Sequence, residues 1–347
     1  MYKVKQIPTP SESNKEYQAF IAAIENQTLY KNFDLSSLNS HAPDVHLVAF
    51  DEKDTAVARC SLWWTNVPEL PGECMAAIGH YAASSDEPAA TLLKYAQEIA
   101  KEQKATCLIG PLDGNTWRSY RFVTESHKVE SLDNKTVPPY FLEPQNPETY
   151  PLQFEKAGFK PLATYSSAIN LNLGEVDTRI NKAVKRFSDQ GIRIRTLDVE
   201  NYDAELKQIF QLSLESFVHN YLYTPINEQQ FLGQYKKVQS LVSPELVLLA
   251  QDSDNNLLGY IFALPDIAQQ MRAETVDTII VKTVAVRQNR KSKGLGSVLV
   301  SEVQKRAHKL GFKKAIHALM HDSNTSNNIS RHYAQTIRRY TLFKNEL

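Results

Sequence analysis

The segment VAVRQNRKSKGLGSVLVSEVQKRA, Val284 to Ala307, joins three kinds of sequence in close succession. A β-branched run predicts the end of a strand, a cluster of Arg and Lys with two glycines follows it, and an amphipathic pattern then predicts a helix. The first N–H groups of a helix lack internal acceptors, and the helix dipole adds roughly half a positive charge there. Gly294 and Gly296 let a ligand approach the backbone closely. The segment therefore predicts an anion site, for a phosphate or pyrophosphate.

Two common phosphate-binding loops do not match this segment. A Walker loop requires GxxxxGK[ST], and the dinucleotide fingerprint requires a third glycine and a series of parallel βαβ units. The segment instead resembles the acyl-CoA loop of the GNAT (Gcn5-related N-acetyltransferase) superfamily: Arg or Gln, two residues, Gly, one residue, then Gly or Ala. An ordinary Gly-rich turn is the alternative. Lys291 occupies the Arg or Gln slot, and the match continues with Ser292, Lys293, Gly294, Leu295 and Gly296.

The resemblance covers roughly residues 192–347 and implies an acyl-CoA site, with acetyl-CoA as co-substrate. By analogy, the pantetheine arm pairs with the backbone at Val284, Ala285 and Val286. The amides from Lys293 to Ser297 then hold the pyrophosphate.

Both halves of the chain show a mixed α/β order of predicted elements. The second half reads strand, helix, hairpin, strand, helix, strand, helix, strand, and the first half repeats this order from its hairpin onward. In the first half the segment YAASSDEPAATLL has no glycine pair and no cation, and its Asp86 and Glu87 repel phosphate. The first half resembles the same superfamily in outline, and the resemblance implies two tandem GNAT-like domains with a mixed sheet (α/β, α+β-like): residues 1–174 degenerate, 175–191 a linker helix, and 192–347 the acyl-CoA domain.

The composition limits the function classes. Lys and Arg together number 39, as do Asp and Glu, so a polyanion such as nucleic acid is not the expected partner. The N-terminus lacks the apolar core of a signal peptide, and no apolar run approaches the ~20 residues of a membrane span. Three scattered cysteines show neither a disulfide framework nor zinc spacing. We therefore expect a cytoplasmic protein, a monomer or homodimer, without a metal and without a membrane partner.

The resemblance implies attack of an amine on the acyl thioester. Tyr333, in the segment that matches the family's last helix, is the candidate acid for the leaving thiolate, or else a core tyrosine. Asn324 is the candidate contact to pantetheine. A carboxylate or a histidine must take the amine proton, and His321 ranks first because it follows the strand where this fold opens its site. The other candidates are Glu215, His219, Glu274, Asp277 and Asp322.

The segment FVHNYLYTPI follows the first helix of the second half, where the family closes over the acceptor. Its residues His219, Asn220, Tyr221 and Tyr223 predict an aromatic, polar acceptor pocket, or else a packed aromatic corner. In the first half, GPLDGNTWRSYRF carries Trp117 and two Arg side chains. It either reaches an acidic part of the acceptor or packs on the linker.

The leading hypothesis is an acyltransferase that moves an acetyl or short acyl group from acyl-CoA to the primary amine of a small molecule or peptide. A non-catalytic acyl-CoA sensor or scaffold is the alternative. Transfer of amino acids from aminoacyl-tRNA, which tandem forms of this fold also perform, is disfavoured by the zero net charge and by the RKSKGLG segment.

Overall fold

The computed structural model describes residues 2–7, 18–20, 40–175, 178–236, 239–323 and 334–347. The first half contributes nine strands and two helices to the described part. They are β1 (Lys3–Ile7), β2 (Val45–Phe50), β3 (Ala56–Trp63), β4 (Met75–Ala83), α1 (Asp86–Glu102), β5 (Cys107–Gly110), β6 (Phe122–Ser126), β7 (Lys128–Val129), β8 (Lys135–Thr136), α2 (Thr149–Lys156) and β9 (Lys160–Asn170).

The second half begins with the predicted charged helix and follows the predicted order up to the strand that ends at His321, with an additional short helix at Ile267–Met271. The helix predicted before the last strand lies outside the described residues. Its described elements are α3 (Asn181–Asp189), β10 (Arg193–Thr196), α4 (Tyr202–Phe217), α5 (Glu228–Lys236), β11 (Val247–Gln251), β12 (Leu257–Pro265), α6 (Ile267–Met271), β13 (Thr278–Val286), α7 (Leu295–Lys309), β14 (Lys314–His321) and β15 (Gln335–Glu346). The mixed α/β class is therefore confirmed. None of the described helices is long and apolar enough to cross a bilayer.

A continuous sheet of 13 strands runs through both halves in the order β1-β2-β3-β4-β5-β15-β9-β14-β13-β12-β11-β10, with β6 paired to β15. The last strand of each half pairs with a strand of the other half. β9 pairs antiparallel with β14, β15 pairs antiparallel with β5, and the two exchanged strands pair with each other. The division at residues 174 and 192 stays a prediction, and the sheet itself is not divided there.

Helices cover both faces of the second half's sheet. On one face, α7 buries Leu295, Leu299 and Val303 in a cluster that includes Leu248 and Ile261 of the sheet. On the other face, α4 and α5 bury a second cluster around Tyr260, with Leu206, Phe210 and Phe231 fully or almost fully excluded from solvent. Each fully buried aliphatic or aromatic side chain contributes about 1.5–3 kcal/mol of hydrophobic free energy. These two layers hold the edges of β13 and the start of α7 in place.

Candidate functional site

Strands β13 and β14 pair in parallel and then separate. Their pairing runs from Thr278 with Lys314 to Val281 with His317 and stops there. The pairing of β12 with β13 shifts register between Val281 and Thr283, so Lys282 is the extra residue of a bulge. Beyond this point a cleft of about 2570 Å³ opens between the strands. The backbone of β13 from Lys282 onward therefore has no strand partner on the cleft side among the described residues.

The cationic loop closes one end of this cleft. Gly294 is the N-cap of α7 and adopts the left-handed conformation, with φ of 89°. Gly296 and Ser297 line the cleft, and they belong to the first helical turn, where the helix offers no internal acceptor for N–H groups. An anion at this place meets backbone donors and the positive end of the dipole.

Two further features of the loop concern Ser292 and Lys293. Ser292 is buried and lines the cleft, and its Oγ has no hydrogen-bond partner among the described residues. A buried hydroxyl without a partner costs free energy, which a bound phosphate oxygen would recover. On the opposite side, the guanidinium of Arg186 in α3 donates to the carbonyl of Lys293. The linker helix thus supports the loop that it precedes in sequence.

The structure brings most of the predicted cofactor residues to the cleft. Lys291 and Leu295 are the exceptions among the described residues. Lys291 is exposed and does not line the cleft, whereas Leu295 is fully buried in the core and its N–H donates to the Ser292 carbonyl at 2.9 Å. Asn324 and Tyr333 lie outside the described residues. The lining residues are Val284, Ala285, Val286, Ser292, Lys293, Gly294, Gly296 and Ser297.

His321, at the end of β14, lies inside the cleft. Its Nδ1 accepts from the Ser323 N–H at 3.2 Å and lies 2.8 Å from Ser323 Oγ. Because a backbone N–H points at Nδ1, that nitrogen carries the lone pair and Nε2 carries the proton in the neutral ring. Burial lowers the pKa of His321, the Asp322 carboxylate raises it, and Arg121 lowers it. A neutral histidine at the mouth of the cleft is suited to accept a proton.

The other candidate bases are less suitable. Glu215 forms an ion pair with Arg287 at 3.0 Å, and Glu274 forms one with Arg272 at 3.0 Å. Asp277 pairs with Lys314 at 3.1 Å, Asp322 accepts from Thr164 Oγ1 at 2.6 Å, and none of these four carboxylates lines the cleft. His219 does line it.

The predicted acceptor residues His219, Asn220, Tyr221 and Tyr223 all line the cleft. The Tyr221 ring lies 5.6 Å from the ring of His321, centroid to centroid. The hydroxyl of Tyr223 is buried without a partner among the described residues. The same segment is also packed, since the Trp117 ring of the first half lies 6.3 Å from Tyr223. The segment therefore both packs on the first half and faces the cleft, and its role as an acceptor pocket stays a prediction.

The first half thus supplies one wall of the cleft, which the sequence only partly indicated. Arg118 donates from Nη1 to the His41 carbonyl at 2.7 Å and from Nη2 to the Ser40 carbonyl at 2.9 Å, so it holds its own half together. Arg121 faces the cleft, as do Tyr165 and Glu143. Lys282 was missed because a single Lys in an apolar strand does not reveal a bulge.

The corresponding place in the first half is filled by protein. Strands β4 and β5 also pair over a short stretch, three residues, but the Leu112 N–H then donates to the Ile78 carbonyl at 2.7 Å and bridges them. Tyr81 beyond this point packs edge-on against Tyr150 and Phe154, each with centroids 5.0 Å away. That the first half holds no acyl-CoA stays a prediction.

One cluster in the described part has the spacing of a metal site. The possible ligand atoms of His41, His80 and Asp113 all lie within 4.8 Å of one another. Burial lowers the pKa of His80 well below its ordinary value, and the charges of Arg59 and Arg118 add to this effect. Positive charge that opposes protonation of His80 also opposes a divalent cation. We propose no metal here, and the expectation of a protein without a metal stays a prediction.

Comparisons with known proteins agree with this geometry. Residues 175–326 match the family model of the N-terminal domain of myristoyl-CoA:protein N-myristoyltransferase. A bacterial ceramide synthase from Caulobacter vibrioides is 21% identical over 193 residues, which cover 54% of this chain and 48% of that protein. The chain therefore spans about half the length of this curated relative.

Solved structures are similar over nearly the whole chain. A tandem GNAT protein from the clavulanic acid biosynthesis pathway has a TM-score of 0.51 at 11% identity, covering 99% of this chain and 98% of its own. A GCN5-related N-acetyltransferase from Anabaena variabilis has a TM-score of 0.55 at 10% identity, covering 99% and 73%. The glucosamine N-acetyltransferase region of a fungal multi-domain β-N-acetylglucosaminidase has a TM-score of 0.56 at 14% identity, covering 99% and 38%. At these identities the likeness establishes the fold.

Proposed function

We propose that this chain, which has the tandem fold of the GCN5-related N-acetyltransferases, transfers an acyl group from acyl-CoA to a primary amine. The observation that carries the proposal is the separation of β13 from β14 beyond Val281 and His317, with the cationic loop and the start of α7 at the end of the opening. An extended thioester arm fits along the free backbone of β13. Its phosphates then reach the N–H groups of the helix start.

The residues of the cleft suit direct attack without a covalent enzyme intermediate. The amine nitrogen attacks the thioester carbon, and the carbon–sulfur bond breaks as the carbon–nitrogen bond forms. The amine proton passes to Nδ1 of His321, with the Ser323 hydroxyl 2.8 Å away as a relay. Backbone N–H groups of β13 near Val284 polarise the carbonyl. Tyr333 supplies the proton that the CoA thiolate takes.

The length of the acyl chain is a separate part of this proposal. We propose acetyl or a short acyl chain, as in the N-acetyltransferases of this fold. The names of the family model and of the ceramide synthase relative point to longer chains. The acceptor is proposed as a small amine or peptide.

Calorimetric titration with acetyl-CoA, bare CoA and desulfo-acyl analogues tests the proposal. One site per chain, lost in Gly294→Asp, supports the acyl-CoA assignment of the second half. Acetyl-, octanoyl- and palmitoyl-CoA in the same assay determine the chain length. Two sites per chain contradict the assignment of the first half, and no binding contradicts the proposed function. Binding without turnover on a broad set of amines favours the sensor or scaffold.

A further inference from the structure

Arg121 has an unusual backbone and an unusual environment. It is a non-glycine residue with φ of 65°, a left-handed conformation that is strained for a residue with a side chain. Its guanidinium packs against two aromatic rings that meet edge to face, 3.9 Å from the centroid of Tyr120 and 4.3 Å from that of Tyr165. These contacts hold the guanidinium in one plane at the wall of the cleft.

Two donor nitrogens of the Arg121 guanidinium, Nε and Nη1, are not used by the described protein. The residue is only 7% exposed, and its Nε and Nη1 are buried without a hydrogen-bond partner among the described residues. Among the described cleft-lining residues the carboxylates are Glu143 and Glu175. Glu143 already pairs with Arg338 at 3.2 Å and accepts from the Tyr340 hydroxyl at 2.6 Å. A buried guanidinium with two idle donors lacks an anion.

Lys282 adds a second cation to the same cleft. It is the bulge residue of β13, it is half-buried, and no described carboxylate forms an ion pair with it. Burial, and after it the nearby charge of Arg121, together lower the pKa of Lys282 to about 8. Two neighbouring cations repel each other in the absence of an anion between or beside them.

The CoA phosphates do not account for this pair of cations. Lys282 lies four residues before Val286, the end of β13, where the loop begins. At ~3.3 Å per residue this places it about 13 Å up the strand from the phosphate loop. The loop has its own cations, Arg290 and Lys293, and both line the cleft. Arg121 and Lys282 therefore face a different part of the reaction.

His321, the proposed base, lies next to this pair. The Tyr165 ring lies against Arg121 on one side and meets the His321 ring at 4.9 Å, edge to face. An amine at His321 thus lies beside the same tyrosine ring that the Arg121 guanidinium contacts. We propose that Arg121 and Lys282 form an anion-binding subsite, and that the acceptor is an amine with a carboxylate or phosphate a few bonds from its nitrogen. This inference rests on the proposed function and gives its substrate class.

Matched pairs of amines test the subsite by calorimetry on the CoA-saturated protein. The carboxylate arm compares phenylalanine with phenethylamine, and the phosphate arm compares ethanolamine phosphate with ethanolamine. Charged hydrogen bonds contribute about 1.5–3 kcal/mol each, so the preferred anionic amine is expected to bind ~10- to 100-fold tighter than its neutral partner. The arm that shows this ratio identifies the anion.

Arg121→Gln and Lys282→Gln are each expected to reduce the ratio several-fold while CoA binding is retained. Arg193→Gln, at an exposed arginine that does not line the cleft, is the matched control and keeps the ratio. If Arg121→Gln does not fold by circular dichroism, Lys282→Gln carries the test, because its side chain is only half-buried. Equal binding of anionic and neutral amines in both arms, or a ratio that survives in Lys282→Gln, overturns the proposal.

The same titrations on Gly294→Asp without CoA separate the two hypotheses. If Gly294→Asp still prefers the anionic amine and the wild type itself binds no CoA, the subsite stands and the proposed function is wrong. If the wild type binds CoA but shows no preference for anionic amines, the proposed function stands and the subsite is wrong.

Discussion

Arg338 in β15 and Glu143 in the first half form a buried ion pair, with Nε and Oε1 3.2 Å apart. Each residue is less than a tenth exposed. The pair therefore ties the last strand of the chain to the half into which it is inserted. Removing one partner of a buried pair leaves a charge without compensation, which typically costs about 3–5 kcal/mol.

We predict that Arg338→Met lowers the free energy of unfolding by about 3–5 kcal/mol in urea denaturation. The double variant Arg338→Met with Glu143→Leu recovers much of this loss, because neither charge of the pair is then left buried without its partner. Asp203→Asn breaks the exposed pair with Lys236 and serves as control, with an expected change within about 1 kcal/mol. A change below about 1 kcal/mol in Arg338→Met contradicts the role of the pair.

The strand exchange predicts that the halves do not fold alone. Residues 1–174 expressed by themselves leave β5 without β15, and residues 175–347 leave β14 without β9. Unpaired edges of this length favour aggregation. Each fragment is expected to be insoluble or to lack near-UV circular dichroism, whereas co-expression gives a soluble complex. A folded, monomeric fragment contradicts this prediction.

The exchange also marks the limit of what the sequence could predict. Alternation of apolar residues identified β9 and β15 as strands, because that signal is local. Partner choice is not local: β9 and β15 carry no feature within themselves that assigns either to its own or to the other half. The same limit applies to the site. The loop around Gly294 was predictable from its glycines and cations, whereas Arg121 and Tyr165 reach the cleft through the fold of the other half.

Gly294→Asp is expected to abolish CoA binding, because it adds bulk and a negative charge where phosphate approaches the start of α7. Gly311→Asp is a matched control, since Gly311 follows the same helix and also has positive φ, 96° against 89°. Both variants carry the backbone strain of a non-glycine residue, roughly 1 kcal/mol. Calorimetry with CoA distinguishes them. Normal CoA binding by Gly294→Asp shows that the loop assignment is wrong.

His321→Gln is expected to slow transfer by ~10²- to 10⁴-fold with unchanged CoA affinity. Because burial lowers its pKa, the acidic limb of kcat/KM against pH lies below the ordinary histidine value of 6.5. Asp322 raises that pKa, so Asp322→Asn moves the limb to still lower pH. His127→Gln, outside the cleft, is the control for histidine loss. An acidic limb that stays in place in Asp322→Asn contradicts the assignment of His321.

Tyr333→Phe removes the proposed proton donor to the CoA thiolate. We expect slower transfer with nearly unchanged CoA affinity. The loss is expected to stay near the lower end of the ~10²–10⁴ range of general acids, because the CoA thiolate is a tolerable leaving group. Single-turnover rates at saturating CoA measure it, with Tyr2→Phe as control. Equal rates remove Tyr333 as the acid and leave it as a packing residue.

His317 predicts how stability depends on pH. It is buried in β14 with Nε2 2.9 Å from Gln304 Nε2, and burial lowers its pKa to about 4. The folded pKa lies below the ordinary 6.5 of the unfolded chain, so on acidification the unfolded state takes up the proton first. The stability that a neutral His317 contributes is therefore complete above pH 6.5 and is lost as the pH falls towards 4, by about 3 kcal/mol in total.

Urea denaturation at intervals between pH 7.5 and pH 4.5 measures this loss. His317→Asn is expected to be less stable than the wild type at neutral pH, but its stability falls less steeply between pH 6.5 and 4.5. His219→Asn, at an exposed histidine, controls for the substitution itself. Because several groups titrate in this range, the informative quantity is the difference in slope between wild type and variant. Parallel curves for wild type and His317→Asn show that His317 is not held neutral by burial.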